Sequence, residues 1–167
     1  MDLYIVRHAI AVPRGTPGYE DDGQRPLTDK GRKKMDKIVK GLRQFGIGLD
    51  IILSSPYVRA RDTAKILANE FNMQDQIRFT DNLIPPGDFQ DLIHEIQEKY
   101  DVESLALVGH EPMLGQLISW LTTGNQDLQI NFKKGGVCYL SADNLYQDQR
   151  ATLEWLLTPA LMVELSK

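Results

Sequence analysis

Cysteine is nearly missing from this chain: Cys138 is the only one in 167 residues, which excludes an internal disulfide and any multi-cysteine metal site. Its setting, Gly136-Val137-Cys138-Tyr139-Leu140, reads as a buried strand. Long apolar runs are missing as well. The chain opens on Met1-Asp2-Leu3-Tyr4-Ile5-Val6, with neither a basic segment nor an extended hydrophobic stretch. Neither a signal peptide nor a membrane span is therefore expected, and a cytoplasmic location is. Nor is there a basic run beyond Arg32-Lys33-Lys34, and the formal charge is −4. This balance argues against a nucleic-acid partner held through its phosphates, so any anion site must be a local focus of positive charge. Histidine is sparse, at three residues, so where each one falls is informative.

What remains is ordinary globular material, 42% apolar and 25% charged, without repeats, linkers or low-complexity tracts. The length suits one domain over residues 1–167 with a buried core. Apolar, β-branched runs predict strands over Leu3 to Val6, Asp50 to Leu53, Ser104 to Val108 and Val137 to Leu140, with a fifth near Ala151 to Leu157. Helical spacing appears between them. Met35, Ile38, Val39 and Leu42 follow an N-cap at Thr28, and Ala60, Ala64, Leu67 and Phe71 follow Ser55-Pro56, read as cap and first helical position. A third helix should follow Gly87-Asp88 and a fourth Glu111-Pro112. Alternating strands and helices give an α/β class, with a largely parallel central sheet between two helical layers. The connection from Ala9 to Leu27 is longer than most loops in compact domains, and such loops are usually functional or disordered.

In open α/β sheets ligands bind beyond the carboxyl ends of the strands. Arg7-His8 follows the first strand, Ser54-Ser55-Pro56 follows the second and leads to Arg59, and Gly109-His110 follows Ser104 to Val108. Each motif alone has a high false-positive rate, and the bland alternatives are a strand-end arginine and a satisfied turn histidine. Their joint placement changes the odds. A phosphoryl group fits this set, because guanidinium forks and free N–H groups at a helix start bind its oxygens. Arg59 lies in the first helical turn; Arg61, about 200° further round the axis, is read as a surface or structural residue. His94, inside a helix, reads as an ordinary surface residue.

The sequence resembles the histidine phosphatase superfamily, which includes the phosphoglycerate mutases. The matching stretches are Leu-Tyr-Ile-Val-Arg7-His8, Pro26-Leu27-Thr28-Asp29-Lys30-Gly31, Ser54 through Ala64, and Leu107-Val108-Gly109-His110-Glu111-Pro112, in family order. The short length, the Arg25-Pro26-Leu27-Thr28 segment and Pro85-Pro86-Gly87-Asp88 look most like the small bacterial phosphohistidine phosphatases of the SixA type. The resemblance implies a phosphoglycerate mutase-like fold, His8 as a transiently phosphorylated nucleophile, and Arg7, Arg59 and His110 around the phosphoryl group, with no cofactor and no metal. Arg25, Ser54 and Ser55 are expected to bind substrate, although Arg25 could equally pair with Asp21 or Asp22.

As nucleophile, His8 must be neutral, with its other ring nitrogen donating to a backbone carbonyl. His110 would contribute best if protonated. Superfamily members that cleave esters commonly protonate the leaving oxygen with a Glu after the third strand, where this chain reads Asp81-Asn82-Leu83-Ile84-Pro85-Pro86-Gly87-Asp88. The substitutes are Asp81, Asp88, better read as a helix N-cap, and Glu111, which could equally decorate the first turn of its own helix. The expected partner is a phosphorylated protein, such as a histidine-containing phosphotransfer domain. The alternatives are a sugar or nucleotide phosphate and, in another class, a catalytically weak phosphate-binding module.

Overall fold

The computed structural model describes residues 1–145 and 150–167. Six strands form one sheet in the order β3-β2-β4-β1-β5-β6, with β1 at Asp2–Arg7, β2 at Ile51–Ser54, β3 at Ile77–Phe79, β4 at Ser104–Gly109, β5 at Val137–Ser141 and β6 at Thr152–Leu157. The β1/β4, β2/β4 and β2/β3 pairs are parallel, and β5 and β6 run antiparallel along one edge. Helices α1 (Asp29–Arg43), α2 (Val58–Phe71), α3 (Phe89–Lys99), α4 (Met113–Thr123) and α5 (Pro159–Leu165) complete the fold.

The central strands are continuously apolar between their ends, Tyr4 apart, because both sheet faces are covered. Leu3, Ile5, Leu53, Leu105 and Leu107 pack in one cluster with the apolar sides of α3 and α4. Their alternates Tyr4, Val6, Ile52, Ala106 and Val108 pack in another with α1, α2 and Met162 of α5. The sheet is therefore sandwiched between two helical layers, as expected for this α/β class. Among the described residues no helix is long and apolar enough to cross a membrane.

Strand β3 and helix α5 are absent from the sequence-based expectation. Strand β3 is a three-residue edge strand whose side chains are half-buried or exposed, so it carries no apolar run. Helix α5 is seven residues long but does carry a start signal: Thr158 accepts from Leu161 N, and Pro159 occupies the first turn. The start of α2 needs correction. It begins at Val58 after Tyr57, with no side-chain cap, because the hydroxyl expected to cap it at Ser55 instead accepts from Tyr57 N at 3.3 Å and meets His110. Thr28 and Asp88 do cap α1 and α3, accepting from Gly31 N and Gln90 N.

The connection from residue 9 to residue 27 is closed at its base. Ala11 bridges to Leu27, Val12 N donates to Pro26 O, and Thr28 N donates to Ile10 O. Gly31 makes the last contact feasible, since a Cβ there would lie 2.0 Å from Ile10 O. The two ends of the loop are thus joined at its base, with a 3₁₀ turn at Asp22–Gln24 between them.

Candidate active site

Strands β2, β4 and β1 lie side by side in parallel register, and their carboxyl ends deliver Ser55, His110 and His8 to one edge. The ladder continues one residue past the strands: His8 N donates to Gly109 O and Ser55 N to Val108 O, both at 3.0 Å. His8 is 6% exposed. Its Nδ1 lies 2.7 Å from Ala9 O, so Nδ1 carries the proton and Nε2 keeps its lone pair. Burial, joined by the charges of Arg59, Arg7 and Lys134, outweighs the Ala9 bond and pushes the imidazole down to about 3. The ring is therefore neutral near pH 7. The Ala9 peptide is itself fixed, since Ala9 N donates to Thr63 Oγ1 at 3.0 Å and that hydroxyl donates to Arg59 O at 2.7 Å.

Arginines surround this ring. Arg7 donates through Nη1 to Phe132 O at 2.6 Å. Arg59, 3% exposed in the first turn of α2, donates to Asp22 O at 2.6 Å and to Asp22 Oδ2 at 2.9 Å. Its guanidinium also sits 5.0 Å from the Tyr57 ring centre. Arg61, by contrast, is 41% exposed and lies 3.9 Å from Asp62. Arg25 pairs with Asp22 Oδ1 through Nε and Nη2 and donates through Nη1 to Val12 O. Arg25 makes the ion pair with Asp22, and its charge also reaches Arg59 and His110. Burial opposes ionisation of Asp22, but hydrogen bonds from Arg14 and Arg25 and the nearby Arg59 charge prevail and hold it at about 2.

His110 stands 5.1 Å from His8, ring centre to ring centre, and meets the Tyr57 ring edge-on at 5.3 Å. Its Nε2 lies 2.9 Å from Ser55 Oγ. That hydroxyl accepts from Tyr57 N and has its own hydrogen to give to Nε2; in the tautomer that takes it, the ring proton is on Nδ1. The expectation of a protonated His110 is not met. Burial, then the charges of His8 and Arg59, push it down to about 2, against the opposing pull of Asp22. Ser54, fully buried, donates to Ser55 O at 2.9 Å.

Three buried nitrogens of this cluster, Arg7 Nε, Arg59 Nε and His110 Nδ1, have no hydrogen-bond partner among the described residues; a fourth, Arg61 Nε, belongs to the surface pair with Asp62. Burying an unpaired polar group costs about 1–3 kcal/mol, and an oxyanion accepting from such nitrogens offsets that cost. The carboxyl groups are placed otherwise. Asp88 is exposed and caps α3, and Asp81 is exposed. Glu111 Oε1 accepts from Gly115 N at 2.7 Å in the first turn of α4; burial pushes this carboxyl up, partly countered by that bond and by Arg7. Among the described residues no group of three or more His, Cys, Asp and Glu is placed to hold a metal ion.

The family model for the histidine phosphatase superfamily (branch 1) matches residues 3–111, which includes every strand end described above. The chain belongs to the histidine phosphatase superfamily. A protein of Picosynechococcus sp. is 36% identical over 140 residues, 82% of each chain. The phosphohistidine phosphatase SixA of Escherichia coli (strain K12) is 23% identical over 161 residues, 95% of this chain and 94% of its own. A solved structure of the protein histidine phosphatase SixA complexed with tungstate shares the fold, with a TM-score of 0.82 at 23% identity over 96% of this chain and 98% of that one. Membership of this superfamily, together with the likeness to SixA proteins, indicates a hydrolase.

Sequence reasoning missed three residues of the site. Asp22 stands out in the sequence only as a candidate partner for Arg25; it also binds Arg59 from 37 residues away, which no spacing reveals. Thr63 sits one turn after Arg59 on the same side of α2, a helical offset that was available to find it. Tyr57, between Ser55 and Arg59, carried no signal apart from its neighbours.

Proposed function

We propose that this protein is a phosphohistidine phosphatase acting on a phosphorylated protein through a covalent phospho-His8 intermediate. The observation that carries the reading is a neutral His8, held by Ala9 O with Nε2 free, beside three buried, unpartnered nitrogens of Arg7, Arg59 and His110. Nε2 attacks phosphorus, and the bond from phosphorus to the departing nitrogen breaks with its electron pair staying on that nitrogen. The imidazolium formed at His8 retains its Nδ1–H bond to Ala9 O. Arg7, Arg59 and His110 Nδ1 hold the equatorial oxygens, where positioning and charge stabilisation do most of the work. Water then attacks phosphorus, the P–Nε2 bond breaks, and inorganic phosphate leaves with His8 neutral again.

The leaving group follows from the carboxylates. Asp22, the acid nearest the arginines, is held ionised and has no proton to give. Glu111 is tied to the start of α4, and Asp88 to α3. An alkoxide leaving group would need such a proton, whereas the imidazole of a phosphohistidine can itself carry a proton near neutral pH and then departs neutral. The test compares turnover of a phosphohistidine peptide and a sugar phosphate. The peptide is expected to be preferred by at least roughly 100-fold in kcat/KM, the lower end of what an acid catalyst supplies. Alkali-quenched enzyme is expected to carry acid-labile phosphate at His8. Comparable turnover of the sugar phosphate, or phosphate mapped to Ser54 or Ser55, would overturn the reading.

A further inference from the structure

The loop before β5 brings a second positive region to the rim of this site. Gly135 N donates to Arg7 O at 3.0 Å and His8 O at 3.2 Å, and Arg7 N donates to Gly136 O at 3.1 Å. Gly135 takes a φ of +79°, and a Cβ there would meet Ile38 Cδ1 at 2.8 Å, so the loop lies flat against the nucleophile strand. Lys133 and Lys134, just before it, are thereby held beside the catalytic edge, exposed to solvent. They line a groove of about 410 Å³ together with Arg7 and Lys34, over an apolar floor that includes Ile10 and Pro159.

The groove is distinctive by its charge. The chain is net negative, at −4, and many of its other cations have a carboxylate partner: Arg14, Arg25 and Arg59 share Asp22, Arg43 pairs with Glu70, Lys99 with Glu95 and Lys167 with Glu164. Lys34, Lys133 and Lys134 have no ion pair or side-chain hydrogen bond among the described residues, and no Asp or Glu lines the groove. Lysine ammoniums are mobile point charges suited to carboxylates held at variable distance, whereas a second phosphate is better gripped by a guanidinium fork. An open, apolar floor beneath them suits a polypeptide segment.

We propose that this groove docks an acidic segment of the phosphorylated protein substrate, placed beside the phosphohistidine that enters the His8 site. The proposal rests on the phosphohistidine reading above and adds what flanks the phosphorylated residue. Lys34, Lys133 and Lys134 meet carboxylates of the segment, its apolar side chains cover Ile10 and Pro159, and Arg7 is shared between groove and phosphoryl site.

The test uses two synthetic phosphohistidine peptides, one with glutamates beside the phosphohistidine and one with glutamines there, alongside phosphoimidazole as the minimal substrate. The full chain is compared with the double variant Lys34→Glu, Lys133→Glu; Lys134 and Arg7 stay because their charges reach His8. The native protein is expected to prefer the glutamate peptide by about tenfold in kcat/KM, or about 1.4 kcal/mol, chiefly through KM. High salt should abolish the preference, and the double variant should lose or invert it while turning over phosphoimidazole within about twofold of native. Equal turnover of the two peptides, with phosphoimidazole still cleaved, would overturn the docking proposal and leave the phosphohistidine reading standing. Failure to cleave either peptide or phosphoimidazole, with a sugar bisphosphate cleaved instead and lost in the double variant, would overturn both and assign the groove to a second phosphate.

Discussion

Replacing Thr63 by valine keeps the shape of a fully buried side chain and removes only its hydroxyl. That hydroxyl has two partners. It accepts from Ala9 N at 3.0 Å and donates to Arg59 O at 2.7 Å. Arg59 O lies inside α2, where helix geometry provides another donor four residues on, so its loss costs little. Ala9 is 2% exposed, and its amide would be left buried without an acceptor, at about 1–3 kcal/mol. The same peptide unit precedes the carbonyl that fixes the His8 tautomer, so a shift there misaims Nε2. Misplacements of about 1 Å cost on the order of 100-fold in rate, and the expected loss in kcat is roughly 10- to 100-fold. Thr63→Ser retains both bonds and should retain kcat, at the expense of about 1 kcal/mol for the missing methyl. Urea unfolding midpoints and phosphoimidazole turnover on the three proteins provide the assay. A valine variant as active as the serine variant, and no less stable than native, would refute the argument that Thr63 positions the nucleophile.

Arg59→Ala is expected to lose about 2–4 kcal/mol of transition-state stabilisation, as for one oxyanion donor, while Arg61→Ala, at a half-buried position paired with Asp62, should change kcat/KM little; equal losses in two folded variants would contradict the assigned roles. His8 and His110 both have folded-state values pushed below the ordinary 6.5, to about 3 and about 2, so the unfolded chain binds more protons between these limits. Their contribution to stability is complete above about pH 6.5 and falls as pH drops toward 3, at up to about 1.4 kcal/mol per pH unit for each ring. Denaturant unfolding from pH 7 to pH 5 should reveal this slope, and His110→Asn should flatten it; an unchanged slope in that variant would show that His110 is not buried neutral.

The α/β class and the strand ends that carry Arg7-His8, Ser54-Ser55 and Gly109-His110 were legible in the sequence. Strands buried on both faces must be continuously apolar, and polar residues stand out where such a run stops. The caps at Thr28 and Asp88 were legible for a similar reason, because capping is a contact between residues two or three apart. Ser55 looks like a cap by the same local rule and is not one. A residue 55 positions away, His110, takes part of its hydroxyl's bonding, and α2 starts at Val58 instead. Edge strand β3 was silent because little of it is buried.

By itself the sequence determined which chemical groups stand at the carboxyl edge of the sheet, since composition, periodicity and spacing are properties of neighbouring residues. The tertiary structure decided how those groups behave. Burial and the surrounding arginines make both histidines neutral, which reverses the expectation for His110. A single carboxylate, Asp22, gathers Arg14, Arg25 and Arg59, and Lys133 and Lys134 reach the site through a loop that closes on Arg7 from the far end of the chain. Charge states and ion pairs depend on distance and desolvation, and in this fold both are set by segments that meet across the sheet edge after long separations in sequence.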